Sequence, residues 1–181
     1  MQIHEATSAK DFVDYANECL DSGHSGVVIH VCDEMCVWTG QLGMLNWSEC
    51  ERLGLPVGQG QYLGGSIVNM LGDLSICITT WGNSELAPQI IGSMAEMLQS
   101  VGEVSRDEND VLLDGKKVLS WARATMITGW QQSVIHCSVG PVDLETIRAV
   151  CMKPMEKIPG SLKEYGITAA NLWAVAEPYL I

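Results

Sequence analysis

Residues 108–124, ENDVLLDGKKVLSWARA, contain the pattern that decides the fold, because they combine a hairpin signal with the one basic cluster of an acidic chain. Residues 111–113 form an apolar run, Asp114-Gly115 is a favoured two-residue turn, and residues 118–122 resume a strand-like pattern. The sequence therefore predicts a β-hairpin with Lys116 and Lys117 at the start of its return strand.

Polar residues frame this hairpin at both ends. Asn109 and Asp110 precede the first strand, and Lys116 and Lys117 open the second. Such pairs occur in surface hairpins whose lysines are only solvated, and they also occur in binding sites. The hairpin alone does not decide between these two interpretations.

The composition is that of a globular chain. Its 181 residues are 47% hydrophobic and 18% charged, which predicts one domain over residues 1–181 that buries about 70% of its unfolded surface. There is no apolar run of membrane-spanning length and no signal-peptide core at the N-terminus, so we expect a cytoplasmic protein without a membrane partner. A formal net charge of -12 argues against a nucleic-acid partner.

The seven cysteines are expected to be free thiols, most of them in the core, because their number is odd and no secretion signal precedes them. His30, Cys32 and Cys36 invite a metal interpretation. However, His30 and Cys32 are alternate residues of a predicted strand, and no second cluster supplies a fourth ligand. The sequence therefore predicts no metal site.

Hydrophobic periodicity and capping residues, namely Thr7 or Ser8, Asn46 and Asp143, predict the remaining elements. Helices are expected at about residues 7–22, 46–53, 85–100, 143–150, 161–165 and 169–177, and strands at about 27–32, 35–38, 74–81 and 132–138. Segment 54–74 contains six glycines and is either a ligand-wrapping loop or an irregular loop at a sheet edge. Together these patterns predict an α/β domain of the α+β type, with a mixed, mostly antiparallel sheet and helices packed on it.

Four segments resemble, in the same order, the catalytic domain of the lipoate–protein ligase, octanoyltransferase and biotin–protein ligase superfamily. VCDEMCVWTGQ resembles the strand and turn that end in Gly-Arg, and PVGQGQYLGGSIVNMLGDLSI resembles the Arg-Arg-x-Ser-Gly-Gly-Gly loop with its following His-Asp-x-Gly. ENDVLLDGKKVLSWA resembles the Arg-Asn-Asp strand, glycine turn and lysine segment, and GWQQSVIHCSV resembles the strand carrying His-Gly-Thr or His-Gly-Ser. The resemblance covers nearly the whole chain and implies a biotin/lipoate ligase-like catalytic domain without a C-terminal accessory domain.

The resemblance also implies site residues. Lys117 falls on the family's lysine, which contacts the acyl carboxyl or thioester carbonyl and stabilises the charge that develops there. Asn109 and Asp110 match the Asn-Asp pair that in ligases helps to hold the nucleotide and its magnesium. The other implied substrate-binding residues lie in the glycine-rich loop and the turn before it: Gln41, Gln59, Gly64, Gly65, Ser66 and Gly72.

The sequence departs from the ligases at the phosphate-facing arginines. Their positions carry Gln41, Gln59, Gly60 and Glu108. A guanidinium replaced by a carboxylate turns attraction into repulsion, on the order of a few kcal/mol at a partly buried site. ATP- and magnesium-dependent adenylation is therefore not expected, and lipoate or an acyl donor is the expected ligand.

The resemblance implies a lipoate-protein ligase-like acyltransferase that attaches a lipoyl or medium-chain acyl group to a lysine of an acceptor protein, with a lipoyl-type domain as partner. An accessory chain could supply missing groups. Cys151 is a candidate nucleophile, because it follows Lys117 at a distance similar to the transferase dyad and Lys153 could favour its thiolate. Two alternatives stay open: a transferase with a changed acyl or aminoacyl donor or acceptor, and a catalytically degenerate binding protein.

Overall fold

A seven-stranded sheet lies at the centre of the protein. The computed structural model describes residues 1–40, 42–61 and 66–181. The strands are β1 Gln2–Glu5, β2 Gly26–Val31, β3 Cys36–Thr39, β4 Val57–Gln59, β5 Ser66–Asn69, β6 Leu74–Trp81, β7 Val104–Asp107, β8 Asp110–Leu113, β9 Lys116–Thr125 and β10 Trp130–Cys137. The central sheet has the order β1-β2-β6-β10-β9-β8-β7, and every neighbouring pair is antiparallel except β1 and β2.

A three-stranded sheet, β4-β3-β5, packs beside the central one. Its strands β3 and β4 are parallel, whereas β3 and β5 are antiparallel. Strands β2 and β3 flank Asp33 and Glu34 as predicted, but they belong to different sheets. Segment 54–74 is more regular than predicted, because β4 and β5 lie within it.

Helices or helical turns form at the six predicted positions, and three of them begin at predicted capping residues. They are α1 Ala9–Ser22, α2 Trp47–Arg52, α3 Leu86–Leu98, α4 Leu144–Val150 and α5 Ala169–Ala176, with 3-10 turns at Leu42–Met44, Leu162–Tyr165 and Glu177–Tyr179. Ser8 caps α1 by accepting a hydrogen bond from the Asp11 N–H, and Gly23 ends the helix at a φ of 63°. Asn46 and Asp143 cap α2 and α4 in the same way.

Helices cover both faces of the central sheet. Alternate side chains of β6 point to opposite faces, so that Ile76 and Ile78 pack in the cluster of α3 and α5, while Cys77 packs with Phe12 of α1 and Trp38 of β3. The protein is therefore layered, with α3 and α5 on one face and α1 with the small sheet on the other. The described residues contain no helix long and apolar enough to cross a membrane.

The predicted hairpin is present. Asp114 and Gly115 form its turn with φ values of 50° and 81°, and Leu113 pairs with Lys116 across it, as a primed two-residue turn requires. A bulge between Val111 and Leu112 shifts the register along the ribbon. Strand β7, which the sequence analysis missed, pairs with β8 at the sheet edge.

Candidate functional site

Lys117 is fixed through its backbone on both sides of the chain. Lys117 lies opposite Leu112 in the β8–β9 register, and its N–H donates to the Ile158 carbonyl at 2.9 Å. Its own carbonyl accepts from the Gly160 N–H at 2.8 Å. The Pro-containing connection after α4 therefore pairs with the start of β9 and orients the lysine.

Lys117 belongs to a charge cluster of two lysines and two aspartates: Lys117, Lys157, Asp107 and Asp110. The Lys117 ammonium lies 3.4 Å from one Asp110 oxygen. Lys157 donates to the other Asp110 oxygen at 2.7 Å and contacts Asp107 at 3.0 Å. The hydrogen bond to Asp110, followed by that to Asp107, raises the pKa of Lys157 above its ordinary value. Lys157 is the tightly held cation, and Lys117 makes the longer contact.

A pocket of about 150 Å³ opens at Lys117, between strands β9 and β10 on one side and β5 and α4 on the other. Its walls are mainly apolar, and they include Ile67, Met70, Leu119, Val142, Ile147 and Met155. Ser120, His136 and Ser138 contribute polar groups. Such a pocket suits an apolar chain that ends in a polar group.

A second, more polar pocket of about 300 Å³ adjoins the first. Both are lined by Lys117, Ile147, Cys151, Met155 and Lys157, and Asp110 and Lys153 line only the second. Lys117 therefore lies where the apolar pocket adjoins the more polar one.

Cys151 lies at the end of α4 and lines both pockets together with Lys117. Its N–H donates to the Ile147 carbonyl at 3.0 Å. Burial, and then the neighbouring Cys50, raises the pKa of the Cys151 thiol above its ordinary value. The thiol form is thus favoured at neutral pH, in contrast to the thiolate expected beside Lys153, and a nucleophilic role for Cys151 stays a prediction.

A buried Asp73–His136 pair supports the pocket wall. The His136 Nε2 atom lies 3.2 Å from Asp73, whose other carboxylate oxygen accepts from the Val139 and Gly140 N–H groups, both at 2.8 Å. Burial alone would raise the pKa of Asp73, but hydrogen bonds from His136, Gly140 and Met70 outweigh it and hold the pKa below its ordinary value. The carboxylate is therefore ionised and joins β10 to the loop before β6.

Gly72 positions Asp73 without lining the pocket itself. Its φ of 96° lies in the left-handed region that favours glycine. Its N–H donates to the Cys32 carbonyl at 2.8 Å, and the Asp73 N–H donates to the Met70 carbonyl at 3.0 Å. This predicted site residue thus shapes the turn that presents the buried carboxylate.

Gln59 and Asn109, two residues implied by the resemblance, lie away from the pocket. Gln59 is exposed on β4, where it pairs with Thr39. Asn109 is exposed in the β7–β8 turn, and its carbonyl accepts from the Trp121 N–H at 3.2 Å. Ser66 opens β5, opposite Thr39 in the pairing with β3. The predictions for Gln41, Gly64 and Gly65 fall outside the described residues.

Comparison with solved structures relates this geometry to known proteins. A bipartite lipoate protein ligase from Thermoplasma acidophilum, studied with its E2 lipoyl domain, gives a TM-score of 0.71 at 15% identity over 99% of this chain and 82% of that one. Lipoate-protein ligase A bound with ATP gives 0.69 at 13% identity over 99% and 84%. A biotin protein ligase from Leishmania major in complex with biotinyl-5-AMP gives 0.55 at 12% identity over 99% and 73%.

The chain has the fold of the lipoate- and biotin-protein ligase catalytic domains. The predicted fold class and the superfamily resemblance are confirmed at this level. No family model and no curated protein matches the sequence itself.

Within this lipoate- and biotin-ligase fold, the sequence analysis missed His136, Asp73 and Lys157. His136 shares one face of its strand with Val134 and Ser138, whereas the core residues Ile135 and Cys137 face the other side. This period-2 pattern could have placed His136 on the pocket side of the sheet. The sequence around Lys157 gives no such signal, because its carboxylate partners Asp107 and Asp110 lie far away in sequence.

Proposed function

We propose that this protein transfers a lipoyl or medium-chain acyl group to a lysine of an acceptor protein. The observation that carries the proposal is the apolar pocket that ends at Lys117. In the reaction, an amide bond forms between the acyl carbonyl carbon and the acceptor lysine nitrogen. The bond to the donor's leaving group breaks, and the lysine proton leaves with that group or with water.

The pocket walls favour an acyl chain. Burial of apolar surface stabilises a bound chain by roughly 0.8 kcal/mol for each buried CH₂. Ile67, Leu119 and Val142 provide such surface, whereas only a few polar groups line the chamber. A chain that fills it would bring its carbonyl to the end occupied by Lys117.

The charge cluster supports a role for Lys117 at that carbonyl. The backbone of Lys117 is held by hydrogen bonds to Ile158 and Gly160. Its ammonium lies 3.4 Å from Asp110, and we infer that this contact positions its charge where an oxyanion would develop. Asp110 is engaged more closely by Lys157 than by Lys117. Lys117 can therefore exchange its long contact for a substrate oxygen at a small cost.

The missing arginines support the choice of acyl donor, and a protein of the same fold supports the choice of acceptor. The sequence carries no arginines at the positions that face the adenylate phosphate in ligases, which favours a donor that is already activated, such as an acyl thioester. The Thermoplasma ligase of the same fold works with an E2 lipoyl domain, and a lipoyl-type domain is accordingly the acceptor that we propose.

A second candidate function is binding of an acceptor or enzyme partner without turnover. Two observations favour it: both lysines of the charge cluster already face carboxylates, and the Cys151 thiol has a raised pKa. An acyl transfer assay separates the two functions, because only the first changes the covalent state of the acceptor.

The pocket can be tested by blocking it. Val142 is a partly exposed wall residue, so Val142→Trp should fill the chamber without disturbing the core. We expect octanoate, titrated by calorimetry, to bind the variant at least ~10-fold more weakly than the natural chain. Val31→Trp is the matched control, because Val31 is half-exposed outside the pocket. Equal octanoate affinity in all three proteins would contradict the assignment of the pocket.

A further inference from the structure

Three soft ligands converge on one buried point outside the pocket. The Cys32 Sγ atom lies 3.6 Å from the His30 Nδ1 atom and 3.6 Å from the Cys36 Sγ atom. All three ligand atoms lie within 4.8 Å of one another. His30 and Cys32 come from the end of β2 and the residue after it, and Cys36 comes from the start of β3. The turn between two sheets brings them together, which the period-2 spacing of His30 and Cys32 did not reveal.

We propose that His30, Cys32 and Cys36 form a binding site for one Zn²⁺ ion. Tetrahedral zinc has Zn–S bonds of about 2.3 Å and Zn–N bonds of about 2.0–2.1 Å, so its ligand atoms lie roughly 3.6–3.8 Å apart. The Cys32–His30 and Cys32–Cys36 separations of 3.6 Å match this edge length. The ligands therefore need little rearrangement to surround the ion.

The charge and the chemistry of the ligands favour zinc. Two thiolates balance the charge of Zn²⁺, and a neutral assembly is the one that a buried position tolerates best. Thiolate sulfur and imidazole nitrogen together select zinc over magnesium or calcium, which prefer oxygen ligands. A monovalent copper ion would leave the same buried ligands with a net negative charge.

The cluster is buried but adjoins exposed residues. His30, Cys32 and Cys36 are each about 2% exposed, but the next residues after Cys32, Asp33 and Glu34, are exposed. The ligands thus lie just beneath the surface. In the described part of the chain this cluster has three protein ligands, and water is the ligand that commonly completes such a zinc ion.

Zinc at this position would stiffen the turn that supports the pocket. The Cys32 N–H donates to the Asp73 carbonyl at 3.0 Å, and the Cys32 carbonyl accepts from the Gly72 N–H at 2.8 Å. Asp73 in turn contacts His136 in the pocket wall. A bound zinc ion would therefore hold the Gly72–Asp73 turn against β2.

The test is metal binding by the full chain, reduced and stripped of metal, with Zn²⁺ alone as the probe. We expect about one Zn²⁺ per chain by calorimetry and elemental analysis, and a higher Tm with zinc than without it. Loss of an outer-shell partner already weakens metal sites by ~10–100-fold, so Cys32→Ser and Cys36→Ser should each weaken binding by more than ~100-fold. Cobalt(II), used as a spectroscopic probe, should show thiolate charge-transfer absorption only when both thiols are present.

Cys19→Ser is the matched control. Cys19 is also buried and lies 3.5 Å from a histidine, His24, but it belongs to no three-ligand cluster among the described residues. This variant should keep the zinc affinity and the zinc-dependent Tm of the natural chain. Zinc binding that persists in Cys32→Ser and Cys36→Ser would overturn the proposal. So would a reduced natural chain that binds no zinc, or one that binds copper(I) alone.

Discussion

The ammonium of Lys117 lies 3.4 Å from the carboxylate of Asp110. Lys117 lines both the apolar pocket and the more polar pocket beside it. The same carboxylate accepts a hydrogen bond of 2.7 Å from Lys157. Asp110 therefore neutralises one lysine closely and the other loosely. Under the proposed function, Lys157 therefore belongs to the scaffold and Lys117 is the lysine that contacts the substrate.

Replacement of Lys117 should greatly slow acyl transfer and preserve the fold. Lys117→Ala removes the charge proposed to stabilise the developing oxyanion, and loss of one such group costs about 10²–10³ in rate. The rate of acceptor acylation under single-turnover conditions measures the effect. Lys116→Ala is the matched control, because Lys116 is its exposed neighbour and lines neither pocket. Equal rates in the natural chain and Lys117→Ala would remove Lys117 from the mechanism.

Asp73 should be a main source of pH-dependent stability. Its pKa in the folded protein lies below the ordinary 3.8, so its contribution is complete above that value and is lost as the pH falls through the folded-state pKa. Asp73→Asn should lower the free energy of unfolding by about 2–4 kcal/mol at pH 7, because a buried charged acceptor is lost. Urea unfolding at pH 7 and below pH 4 measures both effects. A variant as stable as the natural chain at pH 7 would contradict this role.

Gly58 should be intolerant of any side chain. A Cβ atom at this position would lie 2.3 Å from the Ala9 carbonyl oxygen, which belongs to the backbone of α1. Gly58→Ala should therefore force α1 and β4 apart and destabilise the fold by at least ~1–3 kcal/mol. In Gly92→Ala the new Cβ within α3 meets nothing within 4 Å, and this control should gain about 0.5–1 kcal/mol. Thermal unfolding of both variants should show shifts of opposite sign.

Cys151 should react slowly at neutral pH. Burial raises the pKa of its thiol above the ordinary 9.0, so little thiolate is present at pH 7. Its alkylation rate, followed by peptide mass spectrometry, should still be rising above pH 9. A rate that reaches its plateau below pH 8 would contradict the raised pKa.

The nucleophilic role of Cys151 has a separate test. If the reaction passes through an acyl-enzyme, incubation with an acyl thioester should leave a thioester on Cys151, and Cys151→Ser should stop transfer. Transfer that persists in this variant, with no acyl group on the cysteine, would leave Lys117 as the catalytic residue of a direct reaction.

The elements that the sequence predicted correctly are those that depend on interactions between neighbouring residues. The Asp114-Gly115 turn, the caps at Ser8, Asn46 and Asp143, and the period-2 pattern of β6 each depend on neighbouring residues, and each is present in the structure. The resemblance to the superfamily rested instead on four sequence segments that occur in the same order.

Non-local contacts explain what the sequence analysis missed. Asp73 and His136 are 63 residues apart, and Lys157 meets Asp110 across 47 residues. Strand β7 is short and mostly exposed, and only its pairing with β8 identifies it. The convergence of Cys32 and Cys36 likewise depends on two sheets meeting at one turn.

Mass spectrometry of an acceptor tests the central claim most directly. A lipoyl-type domain is incubated with octanoyl thioester and the natural chain, with Lys117→Ala and with Lys116→Ala, and its intact mass is followed with time. We predict that one octanoyl group appears on one acceptor lysine with the natural chain and with Lys116→Ala, and that Lys117→Ala transfers it about 10²–10³ times more slowly. An acceptor that binds the natural chain but gains no mass would contradict acyl transfer and favour a binding protein.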